Sequence, residues 1–212
     1  MGKVMSENMS LTVKALARPS AVLKKAGAPY VLVVMGVSGC GKSTFARMLS
    51  ERMDCPLVEG DDLHPEANIT KMASGTPLTD TDRQPWLEQI GQQVAQWVGA
   101  RQMGVVTCSS LKRDYRTTIS GRHEQVCFVY LKGSRDGVGT RLRERTGHFM
   151  PPSMLDSQFA TLEEPLDDEV VLELDAAATC DEMLEAACAA LRELAKQAGN
   201  GDGTADVGRT PA

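Results

Sequence analysis

Five short stretches of the chain are rich in β-branched and other apolar residues: "YVLVVMG" (30–36), "CPLVEGDD" (55–62), "GVVTCSS" (104–110), "QVCFVYLKG" (125–133) and "EVVLELD" (169–175). Continuous apolar runs of this length fit strands covered on both faces, because a half-exposed strand would alternate. Between them the apolar residues recur at helical spacing. Phe45, Leu49 and Met53 form one such set; Leu87, Ile90, Val94, Trp97 and Val98 form a second; Met183, Leu184, Ala187, Leu191 and Leu194 form a third. The third set opens with Thr179 and Glu182 in capping-box spacing and closes near Gly199. Strands alternating with helices predict a five-stranded parallel sheet with right-handed crossovers and helices on both faces, a three-layer α/β/α architecture. No internal repeat is present.

Two connections are long, 61–103 and 134–168. Both leave from carboxyl ends of strands, where open α/β sheets hold their ligands, so they are expected to serve as a binding segment and a lid. The expected domain covers 29–197, with substrate-binding helices in about 61–103 and the lid in about 134–152. Residues 1–28 carry five basic residues and one acidic residue and read as a disordered or targeting extension; "MGKVMS" also fits the loose myristoylation pattern. Residues 198–212, rich in Gly and polar residues, read as a disordered tail. With 42% hydrophobic residues and a net charge of −5, the 212-residue chain is an ordinary globular sequence. A nucleic-acid binder working through a general basic field is excluded by that charge. No run is long enough to span a membrane. Six cysteines without C-x-x-C spacing point to reduced, packed thiols and a cytoplasmic location, with organelle targeting left open.

Between the first strand and its helix lies Gly36-Val37-Ser38-Gly39-Cys40-Gly41-Lys42-Ser43, followed by Thr44. It meets G-x-x-x-x-G-K-[ST] at every fixed position in the strand–loop–helix context that the motif requires. Its glycines let backbone N–H groups turn inward on phosphates, and the helix adds its positive end. Lys42 is expected on the β- and γ-phosphates of ATP, and Ser43 on Mg²⁺. The guanine-reading N-K-x-D and the L-S-G-G-Q signatures are absent, and the third strand ends "TCSS" without an acid. The acid in reach of the γ-phosphate is Asp61, directly after the second strand. A small-molecule kinase needs a carboxylate there to orient or deprotonate the attacking hydroxyl and to share the metal with Ser43. The alternative for Asp61 and Asp62 is a solvated helix cap.

"MGVSGCGKST", "EGDDLHPEANITKMASGTPLTDTDRQPWL", "TCSSLKRDYR" and "YLKGSRDGVGTRLRERTGHFMPPSMLDSQFATLEEP" occur in this order, and together resemble the gluconokinases over about residues 30–195. The resemblance implies a P-loop kinase fold shared with shikimate and adenylate kinases, a mobile lid, a homodimer, and transfer of the ATP γ-phosphoryl group to the 6-hydroxyl of D-gluconate. Cys40 stands where a serine is commoner in that family. Because the position offers its backbone, little effect is expected.

A sugar acid needs cations for its carboxylate and short polar groups for its hydroxyls. The first long connection offers His64, Lys71 and Arg83, and the loop after the third strand offers Ser109, Ser110 and Lys112. Each of the three long cations could instead be a solvated surface charge, and His64 a structural hydrogen-bonder. In the lid, Arg141 and Arg145 stand four apart on one helix face. By likeness to adenylate-kinase lids, Arg141 would cover adenine and Arg145 would stabilise the transferring phosphoryl group, with His148 closing over the sugar acid. A shikimate or adenylylsulfate kinase is the nearest rival reading, and a non-catalytic nucleotide-binding module the rival from another class.

Overall fold

In the computed structural model, which describes residues 14–15, 31–144 and 152–199, every expected strand forms. The strands are β1 (Lys14–Ala15), β2 (Val31–Met35), β3 (Leu57–Glu59), β4 (Gly104–Thr107), β5 (Val126–Lys132) and β6 (Val171–Asp175). Helices are α1 (Lys42–Met53), α2 (Glu66–Ala73), α3 (Asp80–Gly99), α4 (Arg113–Ser120), α5 (Arg135–Glu144), α6 (Pro152–Thr161) and α7 (Cys180–Gly199). The sheet order is β1-β6-β5-β2-β4-β3, with β2 to β6 all parallel.

Alternation along β2 divides the core in two. Leu32 and Val34 pack against α1 and α7 through Phe45, Leu49, Ala187 and Leu191. Val31, Val33 and Met35 face Trp86, Leu87, Ile90 and Val94 of α3 and Ile119 of α4. The sheet is therefore covered on both faces, which is why its strands read as continuous apolar runs. The four fully buried cysteines, Cys40, Cys108, Cys127 and Cys188, are packed as small hydrophobes, and all six are free thiols.

Three details depart from the hydrophobic pattern. The second strand ends at Glu59, and Gly60–Leu63 close into a 3₁₀ turn. Gly60 leaves the ladder because its N–H donates to Thr107 Oγ1 at 3.2 Å. Helix α3 begins at Asp80, well before its apolar stripe, because Thr79 and Asp82 form a reciprocal capping box. Lys14–Ala15 pair antiparallel with β6, adding an edge that a two-residue strand cannot signal in sequence. The rest of 1–28 and residues 200–212 lie outside the described residues.

Candidate active site

The phosphate loop leaves β2 at the centre of the sheet and turns through three glycines with positive φ, Gly36 at 136°, Gly39 at 83° and Gly41 at 104°. Gly41 caps α1 without a side-chain hydrogen bond, and the first turn of α1 holds no acid. The N–H groups of that turn, together with the helix dipole, thus favour an anion. Lys42 Nζ donates to the Gly36 and Val37 carbonyls, each at 3.1 Å, which holds the ammonium over the crown of the loop. Val37 and Cys40 turn their side chains into the core. Burial pushes the Cys40 thiol up, against a smaller opposite pull from Lys42. The Cys40 N–H donates to Val37 O at 3.3 Å. Gly36 is tied to the next strand loop, its N–H donating to Ser109 O at 3.2 Å. Thr44 is exposed on the first turn of α1.

Ser43 Oγ donates to Glu59 Oε2 at 3.1 Å, and Thr107 Oγ1 donates to the same oxygen at 2.5 Å. The carboxylate facing the phosphate loop thus comes from the end of β3, while β4 offers a hydroxyl. Glu59 was not among the expected site residues. Its signal was present in "EGDD", where it is the last strand residue, two positions before Asp61.

Asp61 occupies the 3₁₀ turn with its side chain exposed. The turn is clamped on two sides. Trp86 Nε1 donates to Gly60 O at 2.6 Å, and a Cβ on Gly60 would stand 2.0 Å from the Thr107 carbonyl oxygen, so only glycine fits. The His64 ring stacks on Trp86 with centroids 4.1 Å apart and planes 16° apart, and its Nδ1 lies 3.4 Å from Asn68 Nδ2. Burial holds the imidazole below its ordinary value, the nearby Arg83 charge acts in the same direction, and Asp61 opposes both.

The expected carboxylate grips divide. Lys71 Nζ donates to Asp82 Oδ2 at 2.5 Å, and Asp82 also accepts from Thr79 N and Oγ1, each at 2.7 Å. These donors hold the Asp82 carboxyl far below the usual range, with Lys71 the largest cause. Lys112 Nζ donates to Asp80 Oδ2 at 2.6 Å, and Asp80 Oδ1 accepts from Tyr115. Arg83 donates to Leu78 O at 2.5 Å and, among the described residues, has no carboxylate partner. Both lysines are matched by acids at the start of α3, and the guanidinium is left available. Ser109 is half-buried and engaged through its carbonyl. Its neighbour Ser110 is fully buried, its Oγ without a partner among the described residues, at φ 49°.

On α5, Arg141 donates to the carbonyl of Ala176, in the turn after β6. Arg145 and His148 lie outside the described residues. From α6, Gln158 Oε1 accepts from Ser38 N at 2.7 Å, a contact with the phosphate loop that sequence periodicity did not reveal.

Among the described residues no group of three or more His, Cys, Asp or Glu side chains forms a metal cage. Mg²⁺ in kinases takes one or two carboxylates, a hydroxyl, waters and the phosphates themselves. The hard oxygens of Ser43, Glu59 and Asp61 fit that donor set.

The chain matches the AAA domain family over residues 31–165. It is 47% identical to the gluconokinase of Gluconobacter oxydans (strain 621H) over 157 residues, which cover 74% of this chain and 88% of that protein. A crystal structure of a gluconokinase from Sinorhizobium meliloti 1021 superposes with a TM-score of 0.75 at 41% identity, covering 83% of this chain and 99% of that one. The shikimate kinase of Aquifex aeolicus vf5, at 13% identity and a TM-score of 0.52 over 82% of this chain and 99% of its own, shares the fold alone.

Proposed function

The chain belongs to the gluconokinase family, and on that premise we propose that it transfers the γ-phosphoryl group of ATP to the 6-hydroxyl of D-gluconate, giving 6-phospho-D-gluconate and ADP. One observation carries the reading beyond a generic ATP-dependent kinase: Arg83, whose guanidinium meets no carboxylate among the described residues, sits on the same long connection as Asp61. A sugar acid needs one carboxylate grip and one base at its far hydroxyl, and this segment supplies both.

The transfer is written as a direct in-line displacement. The oxygen of the 6-hydroxyl forms a bond to Pγ while the bond from Pγ to the β,γ-bridging oxygen breaks, and the hydroxyl proton passes to Asp61. Lys42, the loop amides not already bonded within the protein and those of the first turn of α1 hold the phosphates, which are drawn by convergent donors in a partly dehydrated site. Mg²⁺, held by Ser43 with the carboxylates of Asp61 and Glu59, would neutralise phosphate charge. Arg83 grips the substrate carboxylate bidentately, a geometry that a lysine cannot supply. His64, neutral above its lowered value, accepts or donates one hydrogen bond to a sugar hydroxyl. Ser109, Lys71 and Lys112 complete the pocket, the lysines with their charge already shared with Asp82 and Asp80. Arg141 is assigned to adenine, and Arg145 and His148 to the closing lid. Positioning and electrostatics supply most of the acceleration in such a transfer, and no phosphoenzyme is formed.

A homodimer and a cytoplasmic location belong to the same proposal, supported by the family and by the lack, among the described residues, of a helix long and apolar enough to cross a membrane. The test is ADP release with D-gluconate, shikimate, adenylylsulfate, a nucleoside monophosphate or no acceptor. Release that depends on gluconate alone supports the reading. Preference for another acceptor overturns the substrate and leaves the phosphate loop standing. Absence of turnover with every acceptor favours a nucleotide-binding module.

A further inference from the structure

Gln158 lies on α6, whose Leu155 is buried and whose Phe159 packs against the core on the phosphate-loop side of the sheet. The preceding helix also rests on the loop. A Cβ on Gly39 would fall 2.6 Å from Leu142 of α5. Both helices of the second long connection therefore meet the crown of the loop, and α6 does so, among the described residues, through one polar contact, Ser38 N to Gln158 Oε1 at 2.7 Å.

That contact fixes which way the amide faces. A backbone N–H can bond only an acceptor, so Oε1 is turned to Ser38 and the Nε2 donors are not used in that contact. Among the described residues Nε2 donates to no acceptor. The loop that Gln158 touches carries donors as well: the Lys42 ammonium, held on the Gly36 and Val37 carbonyls, and the amides of the first turn of α1. Two further N–H groups added to a set of convergent donors complement an anionic oxygen, and a neutral amide brings them without the desolvation cost of another cation.

We propose that Gln158 is a further catalytic residue, whose Nε2 donates to an oxygen of the transferring γ-phosphoryl group while Ser38 N–H holds its Oε1 in place. The inference rests on the kinase reading of the site. It names a further polar contributor to the phosphoryl position beside Lys42, and one that enters from α6.

The test compares wild type with Gln158→Leu, which loses both functions of the amide, and Gln158→Glu, which keeps an acceptor for Ser38 and loses both donors. Steady-state kinetics with ATP and gluconate are measured alongside ADP affinity by calorimetry, because ADP lacks the group that Gln158 is assigned to hold. The expected result is a fall in kcat of about tenfold to a hundredfold in both variants, with the Kd for ADP within about twofold of wild type. The neutral leucine variant adds no repulsion, so its kcat decides. A wild-type kcat in Gln158→Leu overturns the proposal. So does a fall in kcat matched by an equal fall in ADP affinity, or rescue by glutamate, since either would reduce Gln158 to a clasp on the loop. Should wild type prefer another acceptor, the same comparison is run with that acceptor. The substrate assignment then fails while Gln158 is judged on its own.

Discussion

Three cations were expected at the acceptor side, and their partners among the described residues rank them. Lys71 and Lys112 each meet an aspartate within 2.6 Å, whereas Arg83 bonds a single carbonyl. Exchanging a guanidinium for an ammonium removes bidentate recognition while keeping the charge. Arg83→Lys is expected to raise the KM for gluconate about tenfold with kcat changed far less, and Lys112→Met to raise it by less than Arg83→Lys. Equal effects at both positions would remove the special place of Arg83. Asp61, exposed on the 3₁₀ turn and proposed to receive the hydroxyl proton, belongs to a different step. Asp61→Asn should lower kcat by about two to four orders of magnitude while ATP affinity is kept, as read by single-turnover and binding measurements. At this scale the sequence was only partly legible. Asp61 and the loop residues stood out because their chemistry is tied to a local motif. The pairing of the lysines depends on helix α3 bringing Asp80 and Asp82 to them, with Asp80 and Lys112 32 positions apart in the chain. Glu59 and Gln158 matter through contacts made across the fold, which no spacing rule exposes.

The 3₁₀ turn Gly60–Leu63 is the element on which the proposed site depends. It is short, and tertiary clamps hold it: Trp86 Nε1 on the Gly60 carbonyl, Thr107 on the Gly60 N–H, and the His64 ring on the Trp86 face. Trp86→Phe keeps the stacking surface and removes the donor to a buried carbonyl, at a cost of about 1–3 kcal/mol. It is expected to lower kcat together with stability, because the turn carries Asp61. A stable variant with full activity would show that the turn holds itself. The same element sets a pH response. His64 has its folded value lowered from 6.5, mainly by burial, so as pH falls through that value the unfolded chain binds the proton more readily than the folded one. Stability is thus expected to decline from pH 7 towards pH 5, and His64→Phe to flatten part of that decline in thermal melts. An unchanged slope in the variant would locate the response elsewhere. Hydrophobic runs marked the strands within a few residues, since burial on both faces dictates composition. They overran β3 because "EGDD" follows it without a Gly–Pro break, and the turn exists only through its clamps.

Across the whole molecule, the two halves of the core meet at one sheet whose central strand opens into the phosphate loop. The end of the second long connection is tied to α4 and to the loop after β4 by Arg116. This guanidinium is 1% exposed and makes a bidentate pair with Glu169, with further bonds to the Ser110 and Glu163 carbonyls. Arg116→Ala would leave Glu169 without its partner and is expected to cost about 3–5 kcal/mol in urea unfolding, with the phosphate loop chemistry itself unaltered. A change below about 1 kcal/mol would mean that water takes over the role. The layered architecture was readable from the alternation of apolar strands and helical stripes. The edge strand Lys14–Ala15 was not, because two residues carry no period. On the proposed reading, one site joins ATP to the far hydroxyl of a sugar acid. That reading is tested most directly by ³¹P NMR of the product formed by the full chain from ATP, Mg²⁺ and D-gluconate. A phosphomonoester resonance coupled to the C6 methylene protons, growing in step with ADP, is the predicted result. Inorganic phosphate alone, or a phosphoryl group on another carbon, would contradict the account.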